Sequence, residues 1–448
     1  MEVSDKAERS VLADRWNDLP DHLITEILSF LPMEDVHRYR CICKQWNALL
    51  SSNNFINHIW AHAPINQQPW LVLSDDNPST PCMAFCFYTR KWHTCFSFSF
   101  LEKQAGTAQL IWRGSVPGVV LADVYFSGDG DGSNDTGIVA RVCNPYTQTF
   151  FQLSPMSKIT TVTHKCIIMS NNNDKLVLSE THKMVALGWC WWEDNMKLVL
   201  EMHDRSEGRW KMVGFVEQIS TWDVLWRGMV SCDCSFYCVG LHHRELRMAI
   251  VGFTCNNIHA AGTGTDSVAG TPMQPIPVRI APFPEELCNQ RYWPKLVTCG
   301  SRLLIVANRF ANFQVEQQES YRRFKEVIAI WEFQNDHCPL NSNTSNSWSW
   351  KWKEIVRMPA TVFDEFKRIS APSSAEWFES AEWFECRGVG DHVCFLPIDI
   401  SSGQAIKVLV YNLKTGLWTW LPSCYLQTHP DSTLLSMAFQ PMPYGKVH

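Results

Sequence analysis

No apolar run in this 448-residue chain approaches the roughly 18 residues that a membrane-crossing helix needs, so no membrane partner is expected. The opening, MEVSDKAERSVLADRWNDLP, is charged and lacks the apolar stretch of a secretory signal, which points to the nucleus or cytoplasm. Lysine and arginine never gather into a stripe, and the formal net charge is -6, so a direct nucleic-acid partner is not expected. Also missing are a Gly-x-Ser-x-Gly elbow, a phosphate loop ending in Gly-Lys and a dinucleotide fingerprint. No residue constellation therefore supports an enzyme, and no cofactor is implied.

Several segments approach a chemical motif and fall short. DGDGSNDTG, residues 129–137, has the alternating acids of a calcium loop, but Asn134 occupies the glycine position and Ala140 the terminal glutamate position. It reads as a solvated loop. In SCDCSFYC, the thiols Cys232, Cys234 and Cys238 would share one face of a strand, yet zinc-knuckle spacing is absent and buried thiols are the simpler reading. His58 and His62 stand one helical turn apart without a metalloprotease glutamate, and GTGTDS, residues 262–267, has no lysine. No metal site is expected. The 18 cysteines suit buried free thiols, and the sequons at Asn134 and Asn343 would not meet the glycosylation machinery. A hexapeptide occurs twice in SAEWFESAEWFE, residues 374–385, which reads as a local duplication or an acidic aromatic contact loop.

What the chain has in quantity is large apolar side chains. Hydrophobic residues make up 46% and charged residues 19%, a globular composition. The 21 tryptophans favour half-buried pleated strands, hence a mainly β body. The hydrophobic period is helical from about 18 to 63 and strand-like afterwards, with a boundary at about 64–69.

In the second region one pattern recurs: an apolar run, a polar turn, then an aromatic residue and a second apolar run. It appears in MAFCFYTRKWHTCFSF, IVARVCNPYTQTFFQLSP, LVLEMHDRSEGRWKMVGF, VIAIWEFQ with SWSWKWKEIVRMP, and VLVYNLKTGLWTWLPS, each a candidate β-hairpin. The aromatic markers Trp92, Phe150, Trp210, Trp350 and Trp418 lie 58, 60, 140 and 68 residues apart by position. GMVSCDCSFYCVGLHHRELRMAIVGF fills the widest gap, giving six units. Repeats of that length predict a six-bladed β-propeller, with a seven-bladed ring or a pair of irregular β-sandwiches as alternatives. TLLSMAFQP would return to complete the first blade.

In LPDHLITEILSFLP, residues 19–32, the apolar side chains span an arc of roughly 160° on a helical wheel, wider than the ~100° that one packing contact requires. Asp21, His22, Thr25, Glu26 and Ser29 hold the remaining face. Val36, Tyr39, Cys43, Trp46 and Leu50 form a second helical face, broken near its middle. A unit of about 45 residues cannot bury all of these alone. Leu23 and Phe30 are expected to pack on the chain's own helices, leaving Ile27, Leu28 and Leu31 for something else to cover.

These residues resemble an F-box: a Leu-Pro opening, Ile-Leu in mid-helix, a closing Leu-Pro, then Cys-Lys-x-Trp and a later phenylalanine, as in LPDHLITEILSFLPMEDVHRYRCICKQWNALLSSNNF. More loosely, VCNPYTQTFFQLSP, LVTCGSRLLIVA, FECRGVGDHVCF and VLVYNLKTGLWTWLPS are similar to the kelch-like or F-box-associated halves of plant F-box proteins, although no double-glycine kelch motif is present. The resemblance implies a disordered tail over 1–14, a three-helix F-box domain over 15–63 and a kelch-like β-propeller over 64–448. It also implies docking on a Skp-family adaptor, through it cullin and RING subunits, and a protein substrate held by the propeller for ubiquitination and proteasomal degradation. The chain would be a non-catalytic receptor. The adaptor contacts carried over are Leu19, Pro20, Ile27, Leu28, Leu31, Pro32, Val36, Cys43 and Trp46. A non-degradative scaffold or transcriptional cofactor, and a glycan-binding or hydrolytic propeller, are the alternatives. Insertions at 256–275, 310–322 and 334–347 are candidate substrate loops.

Overall fold

The computed structural model describes residues 19–440 except 32, 41, 51, 53–54, 56–68, 102–107, 117, 127–136, 146–147, 160, 170–181, 193–194, 205–206, 217–221, 225–228, 233–234, 243–246, 255–278, 285–293, 312–324, 335–350, 371–382, 399–404 and 428–431. The 1–14 tail, Pro32, the histidine pair, most of the 129–137 loop, GTGTDS and the first hexapeptide copy lie outside those residues.

Three helices come first: α1 (Asp21–Ser29), α2 (Met33–Arg40) and α3 (Lys44–Leu50). Pro20 caps α1 with φ -58° and ψ 141°, and its carbonyl accepts from the amides of Leu23 and Ile24 at 2.9 and 3.2 Å. A residue without its own amide hydrogen suits the start of a helix. The apolar face that follows is interrupted at Ile42, in the turn between α2 and α3.

All later strands pair antiparallel, in six sheets. The first holds β1 (Trp70–Ser74), β2 (Met83–Cys86) and β3 (Lys91–Thr94). The second holds β4 (Ala108–Val116), β5 (Val119–Phe126), β6 (Gly137–Asn144) and β7 (Thr149–Gln152). The third holds β8 (Thr161–Met169), β9 (His182–Trp192), β10 (Asn195–Asp204) and β11 (Arg209–Val216). The fourth is irregular: β12 (Trp222–Val224) and β13 (Val230–Cys232) share one edge of β14 (Ser235–His242), followed by β15 (Arg247–Thr254) and β16 (Arg279–Pro282). The fifth holds β17 (Lys295–Cys299), β18 (Arg302–Ala311), β19 (Lys325–Gln334) and β20 (Lys351–Arg357). After α4 (Ala360–Ser370) the sixth holds β21 (Phe384–Val389), β22 (His392–Pro397), β23 (Leu409–Asn412) and β24 (Leu417–Trp420). Finally β25 (Leu435–Phe439) returns to β1, pairing Trp70 with Phe439 and Ser74 with Leu435.

The first strands touch in the cyclic order β4, β8, β13, β17, β21, β25 and back to β4, so the sheets close into a six-bladed β-propeller. Closure by the last strand leaves no long free edge at the ring centre. Each of the five hairpins read from the sequence joins the third and fourth strands of a blade. Trp92, Phe150, Trp210 and Trp418 lie on the outermost strands β3, β7, β11 and β24, which explains their spacing.

Blades stacked on both sides bury both faces of their middle strands, so all five residues of β1 are buried, whereas the outermost β3 and β24 contain no fully buried residue. Ten of the twelve free cysteines among the described residues are buried. Burial pushes the thiols of Cys82, Cys238, Cys299 and Cys424 up to about 12, keeping them protonated packing groups.

One sequence expectation changes here. Cys232 and Cys238 do not share a strand, because β13 and β14 form a hairpin in which Cys232 faces Ser235. The strands that flank the three candidate insertions do not all end at one rim. In an antiparallel blade the first and third turns emerge on the same side, so the strand ends flanking 256–275 and 334–347 lie on one rim and those flanking 310–322 on the other. The helix α4 was not foreseen either. It seats Phe363 and Phe366 in the apolar layer of blades five and six, with Phe366 against Trp383, Phe384, Phe395 and Trp420.

Candidate functional site

The helical unit presents large apolar side chains at its surface. Among the described residues, four of the nine large exposed hydrophobics belong to it: Leu23, Ile27, Phe30 and Ile42. Scattered single residues of this kind need no explanation, but three on one short helix and its C-cap residue do.

Their exposure follows from how α1 is rotated. It turns Ile24, Thr25, Leu28 and Ser29 inward, and leaves Leu23 42%, Ile27 45% and Phe30 52% exposed. At 100° per residue, the centre of the buried arc lies roughly 110° from the centre of the apolar arc. Only Ile24 and Leu28 belong to both. Two hydroxyl residues can face inward because their own helix satisfies them: Thr25 Oγ1 donates to the Asp21 carbonyl at 2.7 Å, and Ser29 Oγ to the Glu26 carbonyl at 2.7 Å. The expectation that Leu23 and Phe30 pack inside is therefore corrected. They face out together with Ile27.

The nine adaptor residues anticipated from sequence fall into different environments. Pro20, Ile27 and Cys43 are exposed, while Leu19, Leu31 and Trp46 are half-buried, with Trp46 edge-on to Tyr39 at 5.7 Å between centroids. Leu28 and Val36 are 2% and 1% exposed, in one continuous apolar layer with Leu50, Phe55 and residues of the first two blades such as Trp70, Phe98 and Leu110. They shape the unit from within and do not lie at its surface. The helical unit and the propeller thus share a core. Leu23, Phe30 and Ile42 were missed as surface groups; the signal available in the sequence was the Thr25 and Ser29 pair, four residues apart and able to bond their own helix.

An F-box domain model matches residues 16–58, the stretch that holds this face. Among plant proteins of Arabidopsis thaliana, F-box only protein 6 is 21% identical over 436 residues, covering 96% of this chain and 75% of that protein. UNUSUAL FLORAL ORGANS is 21% identical over 439 residues, covering 91% and 79% respectively. An F-box/kelch-repeat protein is 36% identical over 78 residues, 17% of this chain, and the match spans only 18% of that relative's length. With helices and exposed arc inside the matched segment and six blades behind it, the chain carries an F-box domain at residues 16–58 followed by a six-bladed β-propeller, and its relatives are plant F-box proteins.

Proposed function

We propose that this protein is a substrate-recognition subunit of a Skp-cullin-F-box ubiquitin ligase. A Skp-family adaptor covers Leu23, Ile27 and Phe30 together with Leu19, Pro20, Leu31, Pro32, Cys43 and Trp46, and brings the cullin and RING subunits. Leu28 and Val36 act from within, holding α1 and α2 in shape. The propeller holds a protein destined for ubiquitination and proteasomal degradation in the nucleus or cytoplasm, and the chain itself is non-catalytic.

The observation that carries this reading is the rotation of α1, which leaves half of its apolar arc in water within a segment matched by the F-box model. The exposed halves of Leu23, Ile27 and Phe30 would yield about 2–4 kcal/mol on full burial. Pull-down and titration with a purified Skp-family adaptor test it. Ile27→Asp with Phe30→Asp should weaken the complex about 30-fold, corresponding to roughly 2 kcal/mol, and leave the unfolding midpoint of the free chain unchanged. Equal recovery of the adaptor by wild type and the double variant would refute the docking role.

A further inference from the structure

Where the last blade meets the first, three turns of one rim are fastened together. Phe87, at the start of the β2–β3 turn, stacks on His392 at 4.0 Å between centroids and 16° between planes. His392 follows the β21–β22 turn, and its ring nitrogen Nε2 lies 3.0 Å from Nδ2 of Asn412, which precedes the β23–β24 turn. The Leu413 amide donates to the Asp391 carbonyl at 2.9 Å, and Lys414 Nζ meets the Asp391 carboxylate at 2.7 Å.

The side chains that this junction offers to solvent are of two kinds. Tyr88 and Leu417 are each 60% exposed, as much as any large apolar group among the described residues other than Tyr425. Beside them stand Arg90, Lys91 and Lys414, all exposed, against the single carboxylate of Asp391 in the three turns. Arg90 has φ 56°, and its amide bonds back to the Cys86 carbonyl at 2.8 Å, which sets the direction in which the turn leaves β2. A chain of net charge -6 therefore carries three cations and two exposed apolar side chains in or next to these three fastened turns.

We propose that this seam is a docking site for an acidic, extended peptide segment bearing a large apolar side chain. Arg90, Lys91 and Lys414 take the carboxylates, while Tyr88 and Leu417 flank the apolar residue. Three cations are too few to support nucleic-acid binding by phosphate neutralisation, and the paired apolar groups favour a peptide over a free anion. The inference rests on the reading of the propeller as the substrate-holding half, and it names the chemistry of that substrate.

The test is fluorescence anisotropy with a short labelled peptide alternating glutamate with leucine and tyrosine. A lysine-for-glutamate version and inorganic polyphosphate are the comparison probes, and the full chain is used with and without a Skp-family adaptor. Wild type should prefer the acidic peptide to both, with binding that weakens as salt rises. Arg90→Gln with Lys91→Gln should weaken it roughly fivefold to tenfold. Tyr88→Ser should weaken it as well, at an unfolding midpoint equal to wild type. Because Lys414 neighbours Asp391, the charge variants avoid it and the fold is preserved. Absence of a preference for the acidic peptide, equal binding by the Gln variant, or polyphosphate binding as tight as the peptide would overturn the proposal. Loss of adaptor binding with peptide binding intact would instead count against the ligase reading and leave the docking site standing.

Discussion

Replacing Gly388 by alanine probes how tightly the ring is drawn at its centre. Gly388 lies on β21, the first strand of blade six, facing β17 of blade five. A Cβ at this position would sit 2.0 Å from the Thr298 carbonyl oxygen and 2.7 Å from Cys299 Sγ. A carbon beside a carbonyl oxygen ordinarily rests at about 3.3–3.6 Å, so the two strands would have to part by more than ~1 Å. In a closed ring that displacement is passed to the other blade interfaces, because β21 also touches β25. Overpacking a close contact costs about 1–3 kcal/mol, and backbone on the opposing side argues for the upper end. The expected result is a fall in the thermal midpoint on the order of 5 °C. Gly208→Ala is the control. A Cβ at Gly208 meets nothing within 4 Å among the described residues, and φ there is +65°, so the change should cost only about 1 kcal/mol through backbone strain. A Gly388→Ala midpoint equal to wild type, or a larger loss at Gly208, would refute the reasoning. The same contact bears on the duplicated hexapeptide: slipping β21 by six residues keeps every side chain on its face, yet puts Glu382 where only glycine fits.

Deleting residues 435–448 removes β25 and with it the five pairs that join it to β1. The shortened protein should aggregate and lose its cooperative unfolding transition in light-scattering and circular-dichroism measurements; a monomer with the wild-type midpoint would contradict closure by the last strand. Burial holds the His392 imidazole below its ordinary value, with the neighbouring Lys414 charge acting in the same direction and the Asp391 carboxylate opposing. The unfolded chain therefore binds the proton more readily, so this contribution to stability is present above about pH 6.5 and is lost as pH falls through the depressed folded value. A His392→Asn variant should show a smaller drop in unfolding midpoint between pH 7.5 and pH 5 than wild type; identical profiles would remove His392 as the cause.

Much of the architecture was legible because its signals are local. Two apolar runs, a polar turn and an aromatic residue on the outermost strand marked five hairpins, and the place of TLLSMAFQP after the last hairpin pointed to its return onto the first blade, where it pairs with β1. Blade four was harder, since its first position is divided between β12 and β13 and the intervening turns hide the repeat. The helix α4 escaped because its stripe of Val362, Phe363, Phe366 and Ile369 covers only two turns and stands between strand-like runs.

For the docking face, the sequence by itself determined that α1 has more apolar surface than one neighbour can bury, since an arc of about 160° follows from residue order and helix pitch alone. Which half of that arc faces water was decided by tertiary structure. Thr25 and Ser29 satisfy their hydroxyls on their own helix, so packing against the neighbouring core could turn them inward with Leu28 and leave Leu23, Ile27 and Phe30 outside. Helical periodicity sets the angles between side chains; the absolute rotation of the helix depends on the surface it packs against, which no local pattern contains.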